Sequence, residues 1–145
     1  MPPRHLHRYR AVSNATSVIG RHPVELIVLV YDRIGDHLAE AVRALEQQQP
    51  EEVGLALKSV LDLLSQGLVQ ALDFERGGEI AVNLGRIYDF CLQRVLLAQT
   101  RKDAGMLREV AQILADLREA WAGLLPGAAA RPGAQMAADL RLAAY

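Results

Sequence analysis

Apolar residues recur at intervals of three and four along most of this chain, and short polar or helix-breaking stretches divide them into separate runs. The first run is Ile27, Val30, Tyr31, Ile34, Leu38, Ala41, Val42 and Leu45. It opens near Pro23, a residue suited to a first helical turn, and closes at Gln47-Gln48-Gln49. Pro50 followed by Glu51 and Glu52 restarts a helix with two carboxylates at the positive end of its dipole. Val53, Leu57, Val60, Leu61, Leu64, Leu68 and Leu72 form its seam, which predicts a second helix from Pro50 to about Leu72.

Asp73 to Gly78 breaks the pattern, since paired glycines free the backbone to turn. A third helix is predicted from Glu79 to about Thr100, with Ile80, Leu84, Ile87, Tyr88, Cys91, Val95 and Ala98 along one stripe. Val82, Phe90 and Leu97 lie off that stripe, and a helix apolar on more than one face either sits centrally or meets a partner. Arg101-Lys102-Asp103 is a polar turn. Leu107, Val110, Leu114, Leu117, Trp121 and Leu124 then define a fourth helix.

Connections this short force neighbouring helices to run antiparallel. The expected fold is all-α, an up-down-up-down four-helix bundle over residues 23–124, with a flexible N-terminal arm (1–22) and a flexible C-terminal tail (125–145). Leu61, Leu64, Leu114 and Leu117 sit in mid-seam and are expected to form its central layers. In the tail, Pro126-Gly127 and Pro132-Gly133 flank an Ala-rich linker, and the last twelve residues make a helix too short to be stable alone.

Composition agrees with helices. A hydrophobic share of 51% with 5% aromatic residues describes a core of Leu, Val, Ile and Ala. Sixteen Lys and Arg against seventeen Asp and Glu give a net charge of −1, which leaves no positive excess to neutralise phosphates and argues against nucleic acid as a main partner. No run approaches a membrane span, and Pro2, Pro3, Arg4 and His5 do not start a signal peptide, so a cytoplasmic location is expected without membrane insertion. The single Cys91 suits a reducing compartment.

The candidate chemistry is thin. Di-iron bundles require Glu-x-x-His motifs, and this chain has none, so no metal or other cofactor is expected. His37 is the one helical candidate for phosphotransfer. Only Arg33 lies near it to hold a phosphoryl group, while Asp36 and Glu40 oppose one. Cys91 falls on the buried stripe, where a thiol is inert packing. Gly77-Gly78 is a turn, not a phosphate cradle, because no strand precedes it. No catalytic residue is assigned.

The residues set against a partner are Val82, Phe90 and Leu97 on the second stripe and Tyr9 in the arm. Tyr88 and Trp121 join them as candidates, although their spacing assigns both to the core first, since Tyr88 and Phe90 are two apart and face different ways. Residues 1 to 20 are expected to cover the partner groove in the free protein, with Tyr9 as anchor and Leu6, Val12, Val18 and Ile19 beside it.

One long stretch is more specific than any motif. Leu72-Asp73, Gly77-Gly78-Glu79-Ile80-Ala81, Asn83-Leu84, Tyr88-Asp89-Phe90, Arg94, Asp103, Leu107, Glu109-Val110, Leu114 and Leu117-Arg118-Glu119-Ala120-Trp121 resemble the second half of the flagellin-specific export chaperone family, FliS. Pro23 to Leu26 and Val30-Tyr31-Asp32 resemble the start of that family's first long helix, so the likeness runs from residue 22 to 124. The resemblance implies a cytoplasmic chaperone that binds the disordered C-terminal segment of flagellin one-to-one. It also implies that the chaperone stops premature polymerisation and delivers its client to the flagellar export apparatus. Taken without the resemblance, the residues give an all-helical bundle with surplus apolar surface on its third helix, and the main alternative is a helical regulatory or interaction module for another secretion or regulatory protein, with a phosphotransfer domain at His37 a distant third.

Overall fold

The computed structural model describes residues 23–126, and Tyr9 with the rest of the arm and most of the tail lie outside it. Four helices follow in order: α1 (Pro23–Glu46), α2 (Pro50–Asp62), α3 (Phe74–Arg101) and α4 (Ala104–Ala122). A π-helical segment, Leu63–Val69, continues α2.

The helix ends follow from local chemistry. Pro23 and Pro50 open α1 and α2, each with Glu in the first turn. The Asp73 carboxylate accepts a bond from the Arg76 backbone N–H at 3.0 Å, and Asp103 accepts one from Met106 at 3.2 Å, so α3 and α4 start at capped ends. At the end of α1, Gln48 adopts a left-handed conformation with φ 56°. Its neighbour Gln49 donates back to the Ala44 carbonyl, and Gln48 itself donates to Leu45. Lys102 repeats the device after α3, with φ 54° and Asp103 donating to Ala98. Both are Schellman-type closures made without the usual glycine.

Gly78 interrupts α3 at φ 51°, ψ −128°, which a residue with a Cβ avoids. The break predicted from Asp73 to Gly78 is thus narrower than the sequence suggests: Phe74–Gly77 is already helical, so α3 starts before the predicted Glu79, and only Gly78 leaves helical geometry.

Ion pairs and close contacts fix the topology. Asp32 of α1 meets Arg118 of α4, and Glu46 meets Arg108, so residue numbers fall on one helix as they rise on the other. Arg94 of α3 meets Glu109 of α4 in the same antiparallel sense. Helices α1 and α2 turn back on each other through Gln47–Gln49, and α1 packs extensively on both α2 and α4. The result is the up-down-up-down bundle that the short connections require.

The core holds Ile34, Leu38, Leu57, Val60, Leu64, Leu68, Val95, Leu107 and Val110, each at most 1% exposed. Two departures from the helical pattern occur in the second helix. The regular α-helix stops at Asp62, and the following turn widens to π geometry: the Gln70 N–H reaches back five residues to the Ser65 carbonyl. Ser65 Oγ donates to the Leu61 carbonyl at 2.8 Å, a side-chain bond that loosens the regular ladder. Gly67 supplies room there, since a Cβ at that site would sit 3.3 Å from Val30 Cγ1. The second departure is Leu61, which is half-buried and packs on the flank of the core, beside the row of Leu57, Val60 and Leu64, and so is not a central-layer residue.

Truncation should separate these positions. Leu64→Ala and Leu114→Ala are expected to cost about 2 to 5 kcal/mol each, and Leu61→Ala distinctly less, measured by urea denaturation. Equal losses at Leu61 and Leu64 would contradict the burial assigned to them.

Candidate functional site

An apolar groove runs between α3 and α4. Ile87 and Phe90 form one wall, Ile113 and Leu117 the other, with Arg86 and Asp116 at its rim. Its volume is about 410 Å³. Ile87 and Phe90 share a wall because they are three apart on one helix, and Ile113 and Leu117 because they are four apart on the other. Leu117 is buried, Ile87 and Ile113 are half-buried, and Phe90 stands 45% exposed at the mouth.

The groove is bounded by charge. Arg94, one turn beyond Phe90, places its guanidinium 5.6 Å from the Phe90 ring centre and donates to Glu109 Oε2 at 3.0 Å. Its Nε is buried without a hydrogen-bond partner among the described residues. The Arg94–Glu109 bridge therefore ties α3 to α4 beside the aromatic wall.

The sequence-derived site residues divide between surface and interior. Phe90 lines the groove, as the second stripe predicts. Val82 is 39% exposed on α3 and Leu97 is half-buried against the core, and neither lines the groove. Tyr88 and Trp121 are in the core, at 0% and 2% exposure, so neither meets a partner at the surface of this conformation. Core packing, the first assignment their spacing gave, accounts for them. The groove partners of Phe90 were on the page as core positions: Ile87 and Leu117 stood in the apolar stripes, and nothing in the spacing showed that their helices part there. Leu55, Phe74 and Leu96 are further exposed apolar residues that the stripe count passed over.

Beneath α3 lies a buried polar cluster hidden among apolar neighbours. Trp121 Nε1 donates to Tyr31 Oη at 3.3 Å, and the Tyr31 and Tyr88 hydroxyls share a hydrogen bond. It joins α1, α3 and α4 at one level. Burial, together with Tyr88 alongside, pushes the Tyr31 hydroxyl well above its ordinary value.

Burial likewise raises the Cys91 thiol to about 11, with the Glu109 carboxylate adding to the effect. A thiol at that value is protonated and unreactive near neutrality, in keeping with a packing role. The pH dependence follows. Because the folded state holds the proton more tightly than the unfolded chain, stability is complete below the ordinary thiol value of about 9 and falls as pH rises towards 11. Urea midpoints should decline across that window, and less steeply in Cys91→Ala. A midpoint that falls equally in both proteins would show that Cys91 contributes nothing.

His37 lines a second, smaller cleft of about 300 Å³ between α1 and α2, with Glu40, Arg43, Glu52 and Leu55 among its walls. Glu40 Oε2 lies 3.6 Å from His37 Nδ1. Of the two carboxylates that the sequence set against a phosphoryl group, Glu40 lines the cleft and Asp36 does not, and Glu52 of α2 takes the second place there. Among the described residues no group of three or more His, Cys, Asp or Glu is placed to hold a metal ion, and no helix is long and apolar enough to cross a membrane.

Fold and groove together define an all-helical bundle with an open apolar channel between two of its helices, the form of a module that binds another polypeptide. Residues 5–128 match the family model described as flagellar protein FliS, and the chain belongs to that family. It is 37% identical over 120 residues to the flagellar secretion chaperone FliS of Salmonella typhimurium, covering 83% of this chain and 89% of the relative. It is 34% identical over 119 residues to the flagellar secretion chaperone FliSB of Pseudomonas aeruginosa, covering 82% and 94%. The Bacillus subtilis flagellar secretion chaperone FliS is 30% identical over 101 residues, covering 68% and 72%. This is a family of secretion chaperones, not of enzymes.

Proposed function

We propose that this protein binds the disordered C-terminal segment of flagellin in the cytoplasm, one chain to one, keeps it from polymerising and hands it to the flagellar export apparatus. The observation that carries this reading is the α3–α4 groove, an apolar channel with a half-exposed phenylalanine at its mouth in a member of a flagellar chaperone family. A segment that folds on binding buries apolar side chains in such a channel and offsets its ordering cost by the area removed from water. Aromatic side chains at the centre of a contact dominate its energy, which gives Phe90 the anchoring role.

Co-purification of the whole chain with a flagellin C-terminal segment, followed by titration calorimetry, tests the reading. A one-to-one complex is the expected result. Failure to bind flagellin, with binding of some other secreted or regulatory protein instead, would place the chain among helical modules with another client.

A further inference from the structure

Two opposed rows of side chains border the groove, and their charges are sorted. On α3, Arg86, Phe90 and Arg94 recur every four residues, so two cations flank the aromatic wall. On α4, Glu109, Ile113 and Asp116 recur at four and three, so two anions flank an apolar residue. The antiparallel packing sets Arg94 across from Glu109 and Arg86 across from Asp116. The first pair is closed at 3.0 Å. The second is not: no ion pair joins Arg86 to Asp116, although both line the groove. Arg86 makes no hydrogen bond or ion pair with any described residue. Asp116 Oδ1 accepts from Gln112 of its own helix at 2.9 Å and keeps its second oxygen.

We propose that Arg86 and Asp116 form a charge clamp at the open end of the groove, and that it selects an amphipathic client segment by the polarity of its flanks. This rests on the groove being the client site. The selected segment carries a carboxylate on the flank beside α3, facing Arg86, and a cation on the flank beside α4, facing Asp116, with apolar residues between them over Phe90 and Ile113. The closed bridge at the other end keeps the walls tied, and the open pair is left to be satisfied by the client. Rim charges of this kind act on encounter rate and on choice of partner more than on total affinity, because solvent screens them. They set the direction in which the client lies, since a reversed segment would place like charges together.

The test uses the whole chain and a flagellin C-terminal segment in calorimetry and stopped flow. Arg86→Glu and Asp116→Lys should each weaken binding about 3- to 10-fold, mainly through a slower association rate, and the loss should shrink as salt rises from about 0.05 to 0.5 M. A segment with its acidic flank changed to lysine should bind Arg86→Glu better than it binds the wild type. Melting temperatures of both variants should match the wild type, since both residues lie at the surface. Affinities within about twofold of wild type for both variants, with Phe90→Glu still defective, would overturn the clamp and leave the groove intact. A wild-type chain that does not bind the segment at all would overturn the clamp and the proposed client together.

Discussion

Trp121→Ala is expected to lower the stability of the bundle by about 3 to 5 kcal/mol, the usual loss when a large aromatic is removed from a core. The side chain is 2% exposed, so its whole ring leaves a void. The change also removes the N–H that donates to Tyr31 Oη, inside a hydrogen-bonded cluster spanning three helices. For a domain whose total stability is about 5 to 15 kcal/mol, that is a large fraction. Urea denaturation measures it directly, and Trp121→Phe provides the control that keeps an aromatic ring in the core while losing the donor and part of the indole's volume. The phenylalanine variant should lose distinctly less. A midpoint unchanged in Trp121→Ala would mean that the residue lies at the surface and that its burial is wrong.

The second large effect falls on binding. Phe90→Glu should weaken the complex with the flagellin segment by about 30-fold or more, the range of a central aromatic anchor. It places a carboxylate in the apolar channel beside Ile87, Ile113 and Leu117. Because Phe90 is nearly half exposed in the free protein, helical content and melting should change little. Circular dichroism and calorimetry on the same sample separate the two outcomes. A large loss of stability with Phe90→Glu would make the residue part of the core and remove it from the site.

Much of this fold is legible in the sequence. Prolines at 23 and 50 and seams at three-and-four spacing state where the first two helices begin and which faces all four bury, whereas the start of α3 at Phe74, capped by Asp73, lies five residues before the Glu79 that the spacing predicts. What they do not state has a local physical cause in each case. Gln48 and Lys102 close their helices in left-handed conformations that the sequence signals only weakly, because glycine or asparagine is the usual occupant. The π turn after Asp62 depends on Ser65 capturing a carbonyl and on Gly67 admitting Val30, two interactions that no periodicity contains. Leu61 drops out of the central layer for a related reason: a seam of leucines four apart is wider than the strip that the neighbouring helices cover.

The candidate site is legible in one residue and hidden in the rest. Phe90 stands out because it departs from the buried stripe of α3. Its companions Ile87 and Leu117 obey their stripes, and only the parting of α3 from α4 turns them into groove walls. Tyr88 and Trp121 show the reverse. Their size invited a partner role, yet burial and a shared cluster with Tyr31 bind them to the interior. Tertiary spacing, which decides both cases, is carried by whole helices and not by any short motif.

The central claim is that the client occupies the α3–α4 groove. Side-chain nuclear magnetic resonance of the isoleucine and leucine methyls and the aromatic rings, recorded as a flagellin C-terminal segment is added, tests it most directly. The account predicts that Ile87, Phe90 and Ile113 shift together and saturate at one equivalent, while Leu55 and the cleft between α1 and α2 stay unchanged. Shifts confined to the α1–α2 cleft, with Ile87, Phe90 and Ile113 unmoved at saturation, would contradict it.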